Sequence, residues 1–275
     1  MNIKLIALDI DETLLNDDHR ILDETLRSIE RAKKQDIKIV LTTGRPLMST
    51  KPLLQKLKLD NQNDQYVINY HGTEIQTTSG KLIAANPISF ADVKRANDFI
   101  KDVPNVDFIV ESNEALFMTK PDMTWYTGFE ISKNHYQAHF RNIEQMEKEN
   151  KQHTFYKMMF IADSETLDNL LKNLPNWVAK DYKALRTEDC FFDMINKKVN
   201  KGWAVKELAE RLGIKQEEVM AVGDGDSDIS MVEYAGCGVA MQNGTKALLK
   251  IADHVTEDNN HDGVGRAIEK YALNN

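Results

Sequence analysis

The sequence predicts an α/β fold: an open, mainly parallel sheet covered by helices, with a second α+β domain inserted into it. Three observations predict it. Apolar runs of strand length alternate with stretches of helical periodicity over 3–69. That rhythm breaks at about residue 83 and resumes at Asn200. Three of the runs end directly in polar residues, at the carboxyl ends of strands, where an open parallel sheet carries its functional groups.

Strand 3–10 comes first, with Ile3, Leu5, Ile6, Ala7 and Leu8. A helix follows from about Asp23, which reads as its N-cap, with Leu22, Leu26, Ile29 and Ala32 at helical spacing. Strand 37–43 is next and Gly44 breaks it. Thr50 and Pro52 restart a helix that carries Leu53, Leu54, Leu57 and Leu59. A third run, 66–69, completes βαβαβ.

The stretch 76–84 reads as a hairpin turning at Ser79-Gly80. Beyond it the spacing predicts a helix over 89–102, strands near 106–111 and 115–119, and a helix near 136–149. A strand over 155–162, a helix over 164–173 and strands near 177–195 follow. Helices mix here with paired strands, so 84–193 is expected to be an inserted α+β domain between 1–83 and 194–275. From Asn200 the helix 202–212 ends at Gly213. Strand 219–223, helix 227–235, strand 237–241, helix 245–251, strand 253–256 and a last helix 263–273 restore the first pattern.

A chain of 275 residues holds one large or two smaller domains, and 41% hydrophobic with 28% charged residues is ordinary globular composition. The net charge of -8 argues against a duplex-binding surface, and so against a nucleic-acid partner. It leaves room for a small anion in a local positive pocket. Two cysteines without CxxC spacing form no disulfide framework and fit a reducing compartment. The apolar N-terminal strand is too short for a signal peptide, and no run has the length of a membrane span. A cytoplasmic monomer or homodimer with no membrane partner is expected.

Asp9 and Asp11 lie two apart, so on an extended chain both carboxylates point to one side. Hard oxygens so placed suit Mg²⁺. One carboxylate can attack phosphorus. The other can protonate the leaving oxygen and then activate water. A strand ending in Asp with another Asp in the turn gives the same pattern without chemistry. Thr43 and Gly44 offer a hydroxyl and an N–H to a phosphate oxygen, or are a plain Thr-Gly turn. Arg45 suits an anion or an outward salt bridge.

Lys201 opens a helix, where the dipole disfavours a cation; an anion nearby would answer it, though Lys197 and Lys198 compete. Asp224, Asp226 and Asp228 begin like a calcium loop, but Ile229 and Ala235 occupy the positions that need Gly and Glu. Asp224, directly after a strand, fits a metal ligand. Asp228 can hold the lysine. An acidic helix start explains the same loop. His135 and His139 have i, i+4 spacing but no HExxH pattern, which favours a solvated helix face over zinc.

The order Asp-x-Asp, strand-end Thr, Lys, Gly-Asp-x-x-x-Asp resembles the four motifs of the haloacid dehalogenase superfamily. Within it the chain resembles the Cof-type phosphatases. The stretches that carry the likeness are Leu8-Asp9-Ile10-Asp11-Glu12-Thr13-Leu14-Leu15, Thr42-Thr43-Gly44-Arg45-Pro46, Val199-Asn200-Lys201-Gly202 and Val222-Gly223-Asp224-Gly225-Asp226-Ser227-Asp228-Ile229, with Asp262-Gly263-Val264 near the end. The resemblance covers nearly the whole chain. It implies a Rossmann-like core with an inserted α/β cap of type IIB.

By that resemblance Asp9 is the nucleophile and a metal ligand. Asp11 is the general acid/base, with its backbone carbonyl on the metal. Thr43, Gly44, Lys201 and Ser227 bind the phosphoryl group, Asp224 completes an Mg²⁺ site, and Asp228 and Arg45 support. The implied activity is hydrolysis of small phosphorylated metabolites, often sugar phosphates. Phosphosugar mutation, or low-turnover binding of a phosphometabolite in a regulatory role, are the alternatives. Three positions depart from the family pattern. Glu12 stands for Gly, Ser227 for Asn, and His71-Gly72 for Asn-Gly. The departures bear on rate and substrate more than on reaction type.

Overall fold

The first strand, β1 (Leu5–Leu8), is apolar at every position because both its faces are covered: Leu5 and Ala7 join one core layer, Ile6 and Leu8 the other. The computed structural model describes residues 2–112, 115–134 and 137–273. After β1 the chain runs through α1 (Asp23–Lys34), β2 (Lys38–Thr42), α2 (Leu47–Lys56), β3 (Tyr66–Asn69), β4 (Glu74–Thr77) and β5 (Leu82–Ala85). It enters a second compact unit with α3 (Phe90–Ile100), β6 (Asp107–Ser112), β7 (Leu116–Met118), α4 (Trp125–Asn134), β8 (Ala138–Phe140) and α5 (Ile143–Glu149). That unit closes with β9 (Phe155–Ile161), α6 (Ser164–Leu171), α7 (Asn176–Asp181), β10 (Tyr182–Glu188) and β11 (Phe191–Asn196). The first unit resumes with α8 (Lys201–Arg211), β12 (Val219–Gly223), α9 (Ile229–Tyr234), β13 (Cys237–Ala240), α10 (Lys246–Ile251), β14 (His254–Val255) and α11 (Gly263–Ala267).

The units comprise Met1–Ala85 with Asn200–Asn275, and Asn86–Val199. The divisions follow β5 to its end at Ala85 and β11 to Asn196, beyond the expected 83 and 193.

In the first unit the strand order is β14-β13-β12-β1-β2-β3-β4-β5, parallel through β3 and antiparallel at β4 and β5. The chain leaves β1 toward β2 on one side and returns to β12 on the other. The carboxyl ends of β1 and β12 therefore flank the point where the strand order reverses, the usual ligand crevice of such sheets. Residues of α1, α2 and α11 pack on one face through Ile29, Ala32, Leu54 and Val264. Residues of α8, α9 and α10 pack on the other through Ala204, Leu208, Met231 and Leu248.

Several local expectations are corrected. The α1 N-cap is Leu22, not Asp23. The open Thr25 N–H and hydroxyl donate instead to Asp262 Oδ1, which arrives from the far end of the chain. Helix α2 starts at Leu47, with Pro52 inside it. The expected helix over 136–149 is strand β8, paired parallel to β7, followed by α5, which starts behind an Asn142–Gln145 capping box. His139 therefore sits on a strand, and His135 lies outside the described residues. Residues 176–181 form α7 rather than strand. Helix α4 has no clear helical period in the sequence, because its exposed Trp125 and Phe129 blur it.

The second unit carries a sheet ordered β10-β11-β9-β6-β7-β8. One face packs on α3, α5 and α6 through Val93, Ala96, Met146 and Leu167. On the other, where Tyr126 and Ile131 of α4 pack, lies a buried charge cluster: Lys157 Nζ is 2.9 Å from Glu111 and 3.3 Å from Asp193. Burial raises the Glu130 carboxyl of α4 to about 7; Lys157 and Lys133 oppose the rise, while Glu111 and Asp193 add to it.

Glu130 ordinarily titrates near 4.5, so between pH 4.5 and 7 the folded chain keeps a proton that the unfolded chain has lost. The stability it contributes is complete below pH 4.5 and declines by about 3 kcal/mol as pH rises through 7. Glu130→Gln should flatten that slope and raise the denaturant midpoint at pH 8 more than at pH 5. Equal shifts at both values would contradict this.

Candidate active site

Asp9 directly follows β1, and its backbone N–H donates to Val222 O of β12 at 3.0 Å, which fixes its main chain at the sheet reversal. Its carboxylate is buried and accepts from Lys201 Nζ at 2.5 Å. The same ammonium donates to Asp228 Oδ1 at 2.6 Å. Lys201 is the first residue of α8 and only 2% exposed. Two close backbone approaches seat it there. A Cβ on Gly72, at φ +97°, would meet Asn200 O at 2.3 Å, and one on Gly202 would meet Ser230 O at 2.1 Å. Asn200 caps the helix by accepting from Trp203 N at 2.7 Å. Lys197 turns instead to the Ala179 carbonyl in the other unit's own fold.

Asp224 follows β12. Its carboxylate is buried and accepts from the Thr13 hydroxyl at 2.7 Å. Asp228 Oδ2 accepts from the backbone N–H groups of Asp224 and Gly225 at 3.0 and 2.9 Å, so Asp228 ties the acidic loop to the lysine. Asp226 is exposed and accepts from Thr245, away from this cluster. Ser227 is half-buried on the same loop.

Thr43 ends β2. Its hydroxyl accepts from Arg45 N at 3.1 Å, which leaves its own proton for an outside acceptor. Gly44 lies against the His71 ring, whose Nε2 would be 2.4 Å from any Cβ there. Arg45 grips Asp11 with both arms of the guanidinium: Nε donates to Oδ2 at 2.9 Å and Nη2 to Oδ1.

The departures at Glu12 and His71 have a backbone explanation. Both occupy the left-handed region, at φ 58° and 55°. Glycine adopts it freely, and histidine more readily than most residues. Glu12 is held there by Asn243 Nδ2, which donates to its carbonyl at 2.8 Å. Glu12→Gly should therefore stabilise the protein by about 1 kcal/mol, net of glycine's unfolded-state entropy. Urea unfolding checks this, and a loss of stability would mean the loop prefers glutamate.

Three carboxylates, Asp9, Asp224 and Asp228, have oxygens within 4.8 Å of one another, against one lysine. Burial raises Asp9 well above the usual carboxylate range; Asp228 adds to this, Lys201 opposes it, and Asp224 adds again. Burial also raises Asp224 to about 6, against the Thr13 hydrogen bond. Lys201 is raised too: Asp228 and Asp9 outweigh its desolvation. The cluster thus carries an excess of negative charge in a dry place. Its hard oxygen donors fit a small divalent cation such as Mg²⁺. Both Asp228 oxygens are engaged by protein donors, so Asp9 and Asp224 are the carboxylates with an oxygen to give.

Thr13, Asn243 and Asn69, whose Nδ2 donates to the Arg45 carbonyl at 2.8 Å, are supports that residue type and spacing do not single out. Thr13 lies inside the Asp9–Thr13 motif. Asn243 and Asn69 lie in none, and their roles arise from contacts distant in sequence.

The fold is thus an α/β sheet with a buried Lys201–Asp9–Asp228 cluster at the reversal of its strand order. Residues 6–268 match the family of haloacid dehalogenase-like hydrolases, and the chain belongs to it. YxeH of Bacillus subtilis (strain 168) is 34% identical over 271 residues, 98% of each chain. A haloacid dehalogenase-like hydrolase from Bacteroides thetaiotaomicron superposes with a TM-score of 0.85 at 27% identity, over 98% of this chain and 99% of its own. The subclass IIB sugar phosphatase BT4131 matches with a TM-score of 0.79 at 26% identity, over 98% of each chain. The fold is accordingly the Rossmann-like core with an inserted type IIB α/β unit, and the protein is a phosphoric monoester hydrolase.

Proposed function

We propose that the chain hydrolyses small phosphorylated metabolites, sugar phosphates among them, through an aspartyl phosphate on Asp9, with Mg²⁺ as cofactor, in the cytoplasm. The observation that carries this reading is the buried Lys201 bridging Asp9 and Asp228 beside Asp224. Asp9, Asp224 and the Asp11 carbonyl would hold the cation, which when bound supplies charge neutralisation to the phosphoryl group.

The Asp9 carboxylate attacks phosphorus as the bond to the ester oxygen breaks. Asp11 gives its proton to that leaving oxygen. Asp11 then takes a proton from water as the water oxygen attacks the aspartyl phosphate. Inorganic phosphate leaves and Asp9 is restored. Lys201 orients Asp9 and lies against the phosphoryl charge; the Thr43 hydroxyl, Gly44 N–H and Ser227 hydroxyl donate to its oxygens. Choice of the leaving group is assigned to the inserted unit.

The test is phosphate release from a panel of sugar phosphates, other phosphometabolites and an aryl phosphate, with Mg²⁺ and with chelator. Metal-dependent release supports the reading, and its ranking names the substrate class. Isomerised sugar phosphate without free phosphate would favour a mutase. Ligand-dependent thermal stabilisation without either product would favour a regulatory binder.

A further inference from the structure

Asp11 has a keeper that the hydrolysis scheme does not use. Its carboxylate is half exposed, while the Arg45 side chain that grips it is 17% exposed. Both carboxylate oxygens are engaged by the fork, so neither is turned to a leaving oxygen. The main chain of Arg45 is fixed from two sides. Its N–H donates to the Thr43 hydroxyl at 3.1 Å, and its carbonyl accepts from Asn69 Nδ2 at 2.8 Å. Asn69 is fully buried and is itself held by Gln76 Nε2 at 3.1 Å. A buried relay thus anchors the backbone of residue 45 next to the phosphate-binding threonine. Its guanidinium is the part able to change partner, and its planar fork matches a phosphoryl group as well as a carboxylate.

We propose that Arg45 is the positioning residue for Asp11: its fork holds the carboxylate before substrate binds and passes to a phosphoryl oxygen when a phosphomonoester arrives, turning Asp11 toward the leaving oxygen. The inference rests on the phosphatase reading above. Held by the fork, Asp11 only accepts hydrogen bonds; once released it takes one proton from solvent, passes it to the leaving oxygen and regains one from the attacking water. The release ties readiness of the acid to the presence of a phosphoryl dianion.

The test compares two esters in Arg45→Ala and Arg45→Lys. An alkyl phosphate needs a proton on its leaving oxygen; nitrophenyl phosphate does not. The readouts are KM and the single-turnover rate of ester cleavage. The expected result for Arg45→Ala is a higher KM for both esters and a cleavage rate lowered about 10²-fold for the alkyl ester alone. Arg45→Lys, with charge but no fork, should recover part of the KM and little of the alkyl rate. In an Asp11→Asn background, Arg45→Ala should lower the alkyl rate no further, because the two act as one unit.

Equal rate losses for both esters, or full additivity with Asp11→Asn, would overturn the proposal in favour of simple phosphate binding. A lowered melting temperature in both variants with uniform loss would make the role structural and overturn it too. Failure of the wild-type chain to cleave either ester would instead remove the phosphatase reading, and the latch with it.

Discussion

Asp9→Asn should abolish phosphate release, by about 10⁴-fold or more, while leaving the fold intact. The amide is nearly the size of the carboxylate and keeps an oxygen for Lys201, so the contact at the end of β1 survives in weakened form. What is lost is the anion that attacks phosphorus. Removal of a nucleophile from a unit of cooperating residues costs on the order of 10⁴–10⁶ in kcat. Steady-state phosphate release measures the loss. Acid-quenched turnover of a labelled phosphomonoester measures the intermediate: covalent label on the wild-type chain and none on Asp9→Asn. Retained activity with retained label would place the nucleophile elsewhere and end the aspartyl-phosphate scheme.

Lys201→Met should cost both stability and activity. The ammonium is the cation on which the buried Asp9 and Asp228 both converge, at 2.5 and 2.6 Å. Methionine fills the space but leaves two carboxylates close together in a dry site. Breaking a buried ion pair from one side costs about 3–5 kcal/mol. Asp9, already raised by burial, would lose the group that lowers it and would hold its proton more firmly, which removes the nucleophile as well. Lys201→Arg should not restore function, because a guanidinium is bulkier than the ammonium in a site only 2% exposed. Denaturant unfolding and phosphate release read the two effects separately. Stability unchanged in Lys201→Met would mean the lysine bridges nothing that matters to the fold.

The strands that end in function were the most legible part of the chain. β1, β2 and β12 are buried on both faces, so each reads as an unbroken apolar run that stops at a polar residue. The Asp-x-Asp, Thr-Gly-Arg and Gly-Asp groups were visible because they fall on those stops. The second unit was less legible. Its shorter elements lie close together, and the edge strand β8 carries Ala138, His139 and Phe140 in a pattern that suits a helix equally well. Pairing with β7 settled it. The buried charged residues inside that unit carry no signal in the sequence. Glu111, Lys157 and Asp193 sit on central strands where isolated charges read as solvent-facing, and only the alignment of β6, β9 and β11 shows them buried together.

By itself, the order of residues along the chain determined the α/β class, the interruption by an inserted domain, and the types of chemical group that stand at the strand ends. These depend on local periodicity and on which residues follow it, both of which are properties of short segments. Only the tertiary structure decided who holds whom. Asp9 and Lys201 are 192 positions apart and Thr13 and Asp224 are 211, yet each pair shares a buried hydrogen bond. The same holds for the grip of Arg45 on Asp11 and for the cap that Asp262 places on Thr25. Burial and proximity set the charge balance of such groups, and both are fixed when separate strands and helices pack into one sheet reversal, not by any neighbour in sequence.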